Sequence, residues 1–141
     1  MKYRVVAVGR VKDAALRAAC DGYLERLSHY AKVEEGEVKD EARLLGAIPP
    51  GTRLVALSRT GESWSSRDLA AQTEGWEREA RDVVFAIGGA TALPADVLAR
   101  ADQVWSLSAL TLPHEVARLV VLEQLYRAFT IRRGEPYHRG P

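Results

Sequence analysis

Cysteine is nearly absent from this chain of 141 residues: Cys20 stands alone. It can form no internal disulfide and has no partner at metal-ligand spacing, so a disulfide scaffold and a Cys/His metal cluster are both excluded. Its reading is that of a small apolar residue on a first helix. No apolar run approaches the roughly 18 residues that span a bilayer. The opening MKYRVVAVGR is too short and too interrupted for a secretion signal, so a cytoplasmic protein without a membrane partner is expected. Excess charge of one sign is missing as well. A net charge of +1 argues against coating nucleic acid by bulk electrostatics, so DNA is not expected and any RNA site must be local. Three motifs are also lacking. Neither Gly9-Arg10-Val11 nor Gly88-Gly89-Ala90-Thr91-Ala92 completes a dinucleotide-binding G-x-G-x-x-G, and there is no P-loop and no G-x-S-x-G elbow.

What is present is ordinary for a globular domain, 47% hydrophobic and 28% charged, and one domain over residues 1–141 is expected. Lys2 to Val8 reads as a strand ending at Gly9. Asp13 can cap a helix whose apolar positions run from Ala14 to Leu27, and Val33 to Val38 is a second strand interrupted by Glu and Gly. A short helical stretch, Glu41 to Ala47, is stopped by Pro49-Pro50-Gly51. Arg53 to Leu57 is a third strand, followed by a polar loop from Ser58 to Ser63. Ser65 or Ser66 can cap a helix from about Arg67 to Arg81. Val83 to Ile87, VVFAI, has the continuous apolar character of a central parallel strand. A short helix from Pro94 to about Ala101, a fifth strand from Gln103 to Leu107 and a long helix from His114 to about Arg132 complete an α/β pattern with a mostly parallel sheet and helices on both faces. The last helix carries apolar residues around most of its circumference, with Glu123, Gln124 and Arg127 as its clear polar arc. A helix of that kind is buried on more than one side, and the second cover is expected to be another subunit.

In an open α/β sheet, ligands bind beyond the carboxyl ends of the strands. Three such ends carry loop chemistry here: Leu57 with Ser58 to Gly61, Ile87 with Gly88-Gly89, and Leu107 with Ser108 to Leu112. The segment WSLSALTLPHEVARLVVLEQLYRAF (Trp105 to Phe129), preceded by IGG at Ile87 to Gly89 and closed by PYHR at Pro136 to Arg139, resembles the 23S rRNA pseudouridine N3-methyltransferase family of the SPOUT class. The resemblance is strong from about Arg53 to Arg139, with weaker support from MKYRVVAVG and Tyr23 to Leu27. It departs from the family pattern at Ala90-Thr91-Ala92, in a shorter stretch between Val38 and Arg53, and in the extension Gly140-Pro141.

The resemblance implies a C-terminal trefoil knot, a feature that general rules of chain topology argue against. It implies a homodimer, with S-adenosylmethionine as methyl donor held in the knot by backbone groups and no metal. The implied cofactor contacts are Leu57, Gly88, Gly89, Leu107, Ser108, Ala109, Leu110, Thr111 and Leu112. The implied substrate is N3 of a pseudouridine in the helix 69 stem-loop of 23S rRNA in the assembled ribosome. Another rRNA or tRNA base, or a silent ribosome-binding module on the same scaffold, are the alternatives.

Methyl transfer from a sulfonium is an in-line displacement, so the protein must align the nucleophile and help remove its proton. His138 is the candidate catalytic base, since histidine can accept a proton near neutrality; a solvated or RNA-contacting tail residue is the equally open reading. Arg127, Arg132, Arg133 and Arg139 against the single acid Glu135 make the tail locally basic and suited to RNA phosphates, and Tyr137 could stack on an unpaired base. His114 is expected to cap or contact the start of the last helix, and His29 to lie on the surface.

Overall fold

The computed structural model describes residues 1–89 and 92–141; Ala90 and Thr91, where the sequence departs from the family's turn, lie outside the described residues. In chain order the elements are β1 (Tyr3–Val8), α1 (Ala14–Leu27), β2 (Val33–Val38), two 3₁₀ turns (Glu41–Arg43 and Leu45–Ala47), β3 (Arg53–Ser63), α2 (Ser66–Glu79), β4 (Val83–Ile87), α3 (Ala95–Arg100), β5 (Gln103–Ser106) and α4 (His114–Arg132). The five strands form one sheet in the order β2-β1-β4-β3-β5, and every pairing is parallel.

Period-2 alternation sorts the strand residues between two cores. Tyr3, Val5, Ala7, Val55, Phe85 and Ile87 pack with residues of α1, α2 and α4 on one face. Val6, Val8, Leu54, Ala56, Val84 and Ala86 meet Leu44, Ile48, Leu93 and Val97 on the other. All five residues of β4 are buried, as a central strand covered on both faces requires. Asp13 caps α1 by accepting from the Leu16 N–H at 3.0 Å. Ser65 and Asp68 close a reciprocal capping box on α2.

Four boundaries differ from the sequence expectations. The Glu41 to Ala47 stretch is two 3₁₀ turns rather than one helix. α2 stops at Glu79 because Ala80 turns left-handed at φ 57°. β5 ends at Ser106, leaving Leu107 to the loop. The largest difference is β3, which continues through the segment expected to be a polar loop. It pairs with β5 first through Val55, Ala56 and Leu57 and again, after a register shift, through Glu62 and Ser63. Gly61 makes this possible: a Cβ there would lie 2.6 Å from the carbonyl carbon and oxygen of Val104.

α4 runs between α1 and α2, and this accounts for much of its all-round apolar character without a second subunit. Leu122 and Leu125 are fully buried within the single chain. Val116, Val120, Glu123 and Arg127, spaced along one stripe, remain only partly covered. Arg118 is the largest fully buried side chain. Its guanidinium donates to Glu35, to Glu37 at 2.6 Å and to the Gly9 carbonyl at 3.3 Å, while Arg17 holds the other oxygen of Glu35. Two of the three glutamates in β2, Glu35 and Glu37, are thus the partners of a buried cation, and they fasten α4 to the β2 edge.

Candidate active site

Because all strands are parallel, their carboxyl ends open on one edge. There β3, β4, the loop after β5 and the start of α4 enclose a cavity of about 520 Å³. Its wall holds Leu57, Gly88, Gly89, Leu107, Ser108, Leu110, Thr111 and Leu112, all drawn from the residues that the family resemblance implies for the cofactor. Ala109 is not on the wall. The loop takes its shape from two local hydrogen bonds: Ser106 Oγ donates to the Ser108 carbonyl at 3.1 Å, and the Leu110 N–H donates to Ser108 Oγ at 3.0 Å. This turn pushes Leu110 outward, where it is 71% exposed at the cavity rim.

Gly89 has a packing reason to be glycine. A Cβ would sit 2.9 Å from Glu41 Oε1, the movable end of that side chain, and 3.1 Å from Val8 Cγ1, so a side chain there would crowd Val8 of β1. Sequence reasoning singled out neither Arg59 nor His114 for this site. Arg59, exposed, is the one charged side chain on the described wall. The signal for it was the Ser58-to-Gly61 loop after a strand end. His114 is the first residue of α4; its Nδ1 is buried and has no hydrogen-bond partner. Among the described residues no group of three His, Cys, Asp or Glu side chains could hold a metal ion.

The tail residues lie elsewhere. Tyr137 packs edge-on against Tyr126 at 4.7 Å, donates to Glu123 at 2.8 Å and meets the Tyr23 hydroxyl at 3.2 Å. Burial, with Tyr23 and Glu123 beside it, pushes its phenol well above the ordinary tyrosine range. Arg127 stands over the Tyr137 ring at 4.7 Å, pairs with Glu123 at 2.8 Å and donates to His138 Nδ1 at 3.1 Å. His138 Nε2 contacts the main-chain oxygen of Pro141 at 3.1 Å. Arg132 is committed to Glu77 on α2. Arg133 lies over the Tyr30 ring at 4.6 Å, and both Arg133 and Arg139 are exposed, as is His29. His114 at the cavity and Arg127 beside His138 are thirteen residues apart on one helix, which at 1.5 Å per residue is about 20 Å. Within one chain the structure therefore does not bring His138 to the cavity.

The family model described as "Predicted SPOUT methyltransferase" matches residues 1–138. The ribosomal RNA large subunit methyltransferase H of Sorangium cellulosum is 48% identical over 97% of this chain and 99% of that protein. The protein of the same name from Anaeromyxobacter sp. is 42% identical over 99% of this chain and all of its own length. A probable methylase family protein from Haemophilus influenzae Rd KW20 superposes with a TM-score of 0.61 over 98% of this chain and 70% of its own; at 12% identity that likeness speaks for the fold alone. With a model covering nearly the whole chain and full-length relatives at this identity, the chain belongs to the SPOUT methyltransferase family, among the ribosomal RNA large subunit methyltransferases H.

Proposed function

We propose that this enzyme transfers the methyl group of S-adenosylmethionine to N3 of a pseudouridine in 23S rRNA, in the helix 69 stem-loop of the assembled ribosome, and works in the cytoplasm as a homodimer with a C-terminal trefoil knot. The observation that carries this reading is the cavity. Residues that the family resemblance implies for the cofactor line one concave site whose volume lies in the roughly 300–1,000 Å³ range of small-molecule pockets. Its wall fits the donor's chemistry: leucines offer apolar contact for an adenine, while the loop from Leu107 to Leu112 and the glycine pair offer backbone groups for its polar edges. When bound, S-adenosylmethionine supplies an electrophilic sulfonium methyl. The chain's part is to exclude water with Leu57, Leu107 and Leu112, to orient the base, and to remove its proton.

The dimer reading draws on the partly covered stripe of α4. If two copies pack antiparallel along Val116, Val120, Glu123 and Arg127, the tail of one copy comes to the cavity of the other. Tyr137, His138 and Arg139 would then meet the RNA substrate there, with Arg133 free for a phosphate. Arg127 and Arg132 would have to leave their carboxylates to do the same. Mass spectrometry of 23S rRNA from cells with and without the gene tests the reading. It should show one methylated pseudouridine that disappears with the gene, and an unchanged rRNA with a change in tRNA would transfer the activity to another base.

A further inference from the structure

The end of β3 makes an excursion beside the cavity. Leu57 and Glu62 both face Trp105 of β5, so the residues between them, Ser58 to Gly61, stand opposite no residue of their own. Extra residues on one strand bend it and re-aim a side chain, and such bulges gather beside active sites. The return is fixed by Gly61, whose backbone lies so near Val104 that a Cβ would sit 2.6 Å from the Val104 carbonyl. At the tip the Ser58 and Thr60 hydroxyls bond to each other at 3.0 Å, with Arg59 between them in the chain. All three line the cavity.

Arg59 is exposed, and among the described residues its side chain makes no hydrogen bond, ion pair or ring contact. Glu62, three residues on, takes the Trp64 indole N–H at 3.1 Å instead. By contrast Arg53, Arg100, Arg118 and Arg132 each hold a carboxylate. The described wall of the cavity holds no carboxylate at all. Arg59 thus neither braces the fold nor neutralises a neighbour, and it is placed for an anion that arrives from outside. Its planar fork of N–H donors matches the oxygens of a phosphate.

We propose that Arg59 is a substrate-binding residue that holds a phosphate of the RNA strand next to the nucleotide being methylated. This rests on the reading of the cavity as the methyl-transfer site. A base delivered to the methyl donor enters the cavity ring first, and its phosphates stay at the mouth, because burying their charge costs far more than leaving it in water. Arg59, exposed on the wall, meets the part of the nucleotide that stays outside. Such a contact carries no base identity; it fixes the register of the strand against the methyl group. It adds to the parts given to Tyr137, His138 and Arg139 and replaces none of them.

The test compares Arg59→Gln, Arg59→Lys and Arg78→Gln in the full chain, the last removing an equal charge from the exposed end of α2. Ribosomes from cells lacking the gene are the probe. Their binding is measured by co-sedimentation over a range of salt, their methylation by rate, and S-adenosylmethionine affinity by calorimetry. Methylation by the wild type tests the substrate reading by itself, while the binding comparison decides the part of Arg59 whether or not turnover follows. Arg59→Gln should weaken ribosome binding roughly tenfold, the low end for a hydrogen bond to a charged group. It should also lower the slope of log affinity against log salt by about 1. KM should rise by the same factor, with kcat at saturation within about twofold of wild type. Arg59→Lys should keep the salt slope and recover part of the affinity, since a point charge replaces the fork. Arg78→Gln should leave both unchanged, and cofactor affinity should stay within about twofold in all three. Wild-type ribosome binding and salt slope in Arg59→Gln overturn the assignment. An equal loss in Arg78→Gln does so too, since net charge would then be the cause. So does a fall in S-adenosylmethionine affinity that accounts for the whole loss, which would give Arg59 to the cofactor's carboxylate.

Discussion

Replacing Arg118 with methionine removes a buried cation but little volume, and the structure sets the size of the effect. The side chain is 1% exposed and serves Glu35, Glu37 and the Gly9 carbonyl. Breaking a buried pair from one side costs about 3–5 kcal/mol, mostly because the abandoned charge cannot reach water. Here Glu37 is 34% exposed and can rehydrate, and Glu35, 12% exposed, keeps Arg17. The loss should therefore fall at the low end, about 3 kcal/mol, read by urea unfolding at fixed protein concentration with an unchanged slope. For a chain of this size that corresponds to a fall in Tm of roughly 10–15 °C. Changing Glu35 and Glu37 to Gln in the same background should recover a good part of it. A single variant destabilised by less than about 1 kcal/mol, or a triple variant no more stable than the single, refutes the reasoning.

Gly88→Val should lower S-adenosylmethionine affinity by calorimetry while the thermal melt stays near wild type, since Gly88 lies on the cavity wall; unchanged affinity would move the site. Gly61→Ala should cost about 1–3 kcal/mol in thermal unfolding, because its methyl would strike the Val104 backbone at 2.6 Å. The Arg132 hydrogen bond holds the Glu77 carboxyl below the ordinary glutamate range. The pair's stabilisation is therefore complete above the unfolded-state value of about 4.3 and is lost as pH falls through the lower folded value. Glu77→Gln should flatten acid unfolding in that window. Val120→Glu, on the partly covered stripe of α4, should leave a folded chain and shift sedimentation toward monomer, whereas Leu122→Glu should unfold the single chain itself.

The elements with strong hydrophobic periodicity were legible: VVFAI is the central strand, and α1, α2 and α4 lie close to where capping residues and apolar spacing put them. The end of β3 was not, because Glu62 and Ser63 resume pairing with β5 only after a register shift and Ser58 to Ser63 carry no apolar alternation; the glycine at position 61 was the one local sign. α4 illustrates a different limit. Its apolar girdle is real, but periodicity counts faces without saying what covers them, and here α1 and α2 cover most. Arg118 and its glutamates are separated by some eighty positions in sequence, so nothing local distinguishes them from surface charges. The loop residues on the cavity wall were singled out through family resemblance. His114 was not, since its place on that wall and its unpartnered Nδ1 follow from how the start of α4 packs and from nothing local in sequence.

The place of β1 in the sheet bears on how the chain is made. Its inner neighbour is β4, with Tyr3 beside Val83, and the Lys2 N–H donates to Asp82 at 2.9 Å. At a synthesis rate of about 5–20 residues per second, roughly eighty further residues take about 4–16 s. During that interval the apolar segment VVAV can find β2 on one side but has no inner partner on the other. An open strand edge of this composition is a template for pairing with another chain. β1 is thus an aggregation hazard in the nascent protein until β4 emerges. A chaperone that shields β1 until β4 emerges should therefore raise the yield of folded protein.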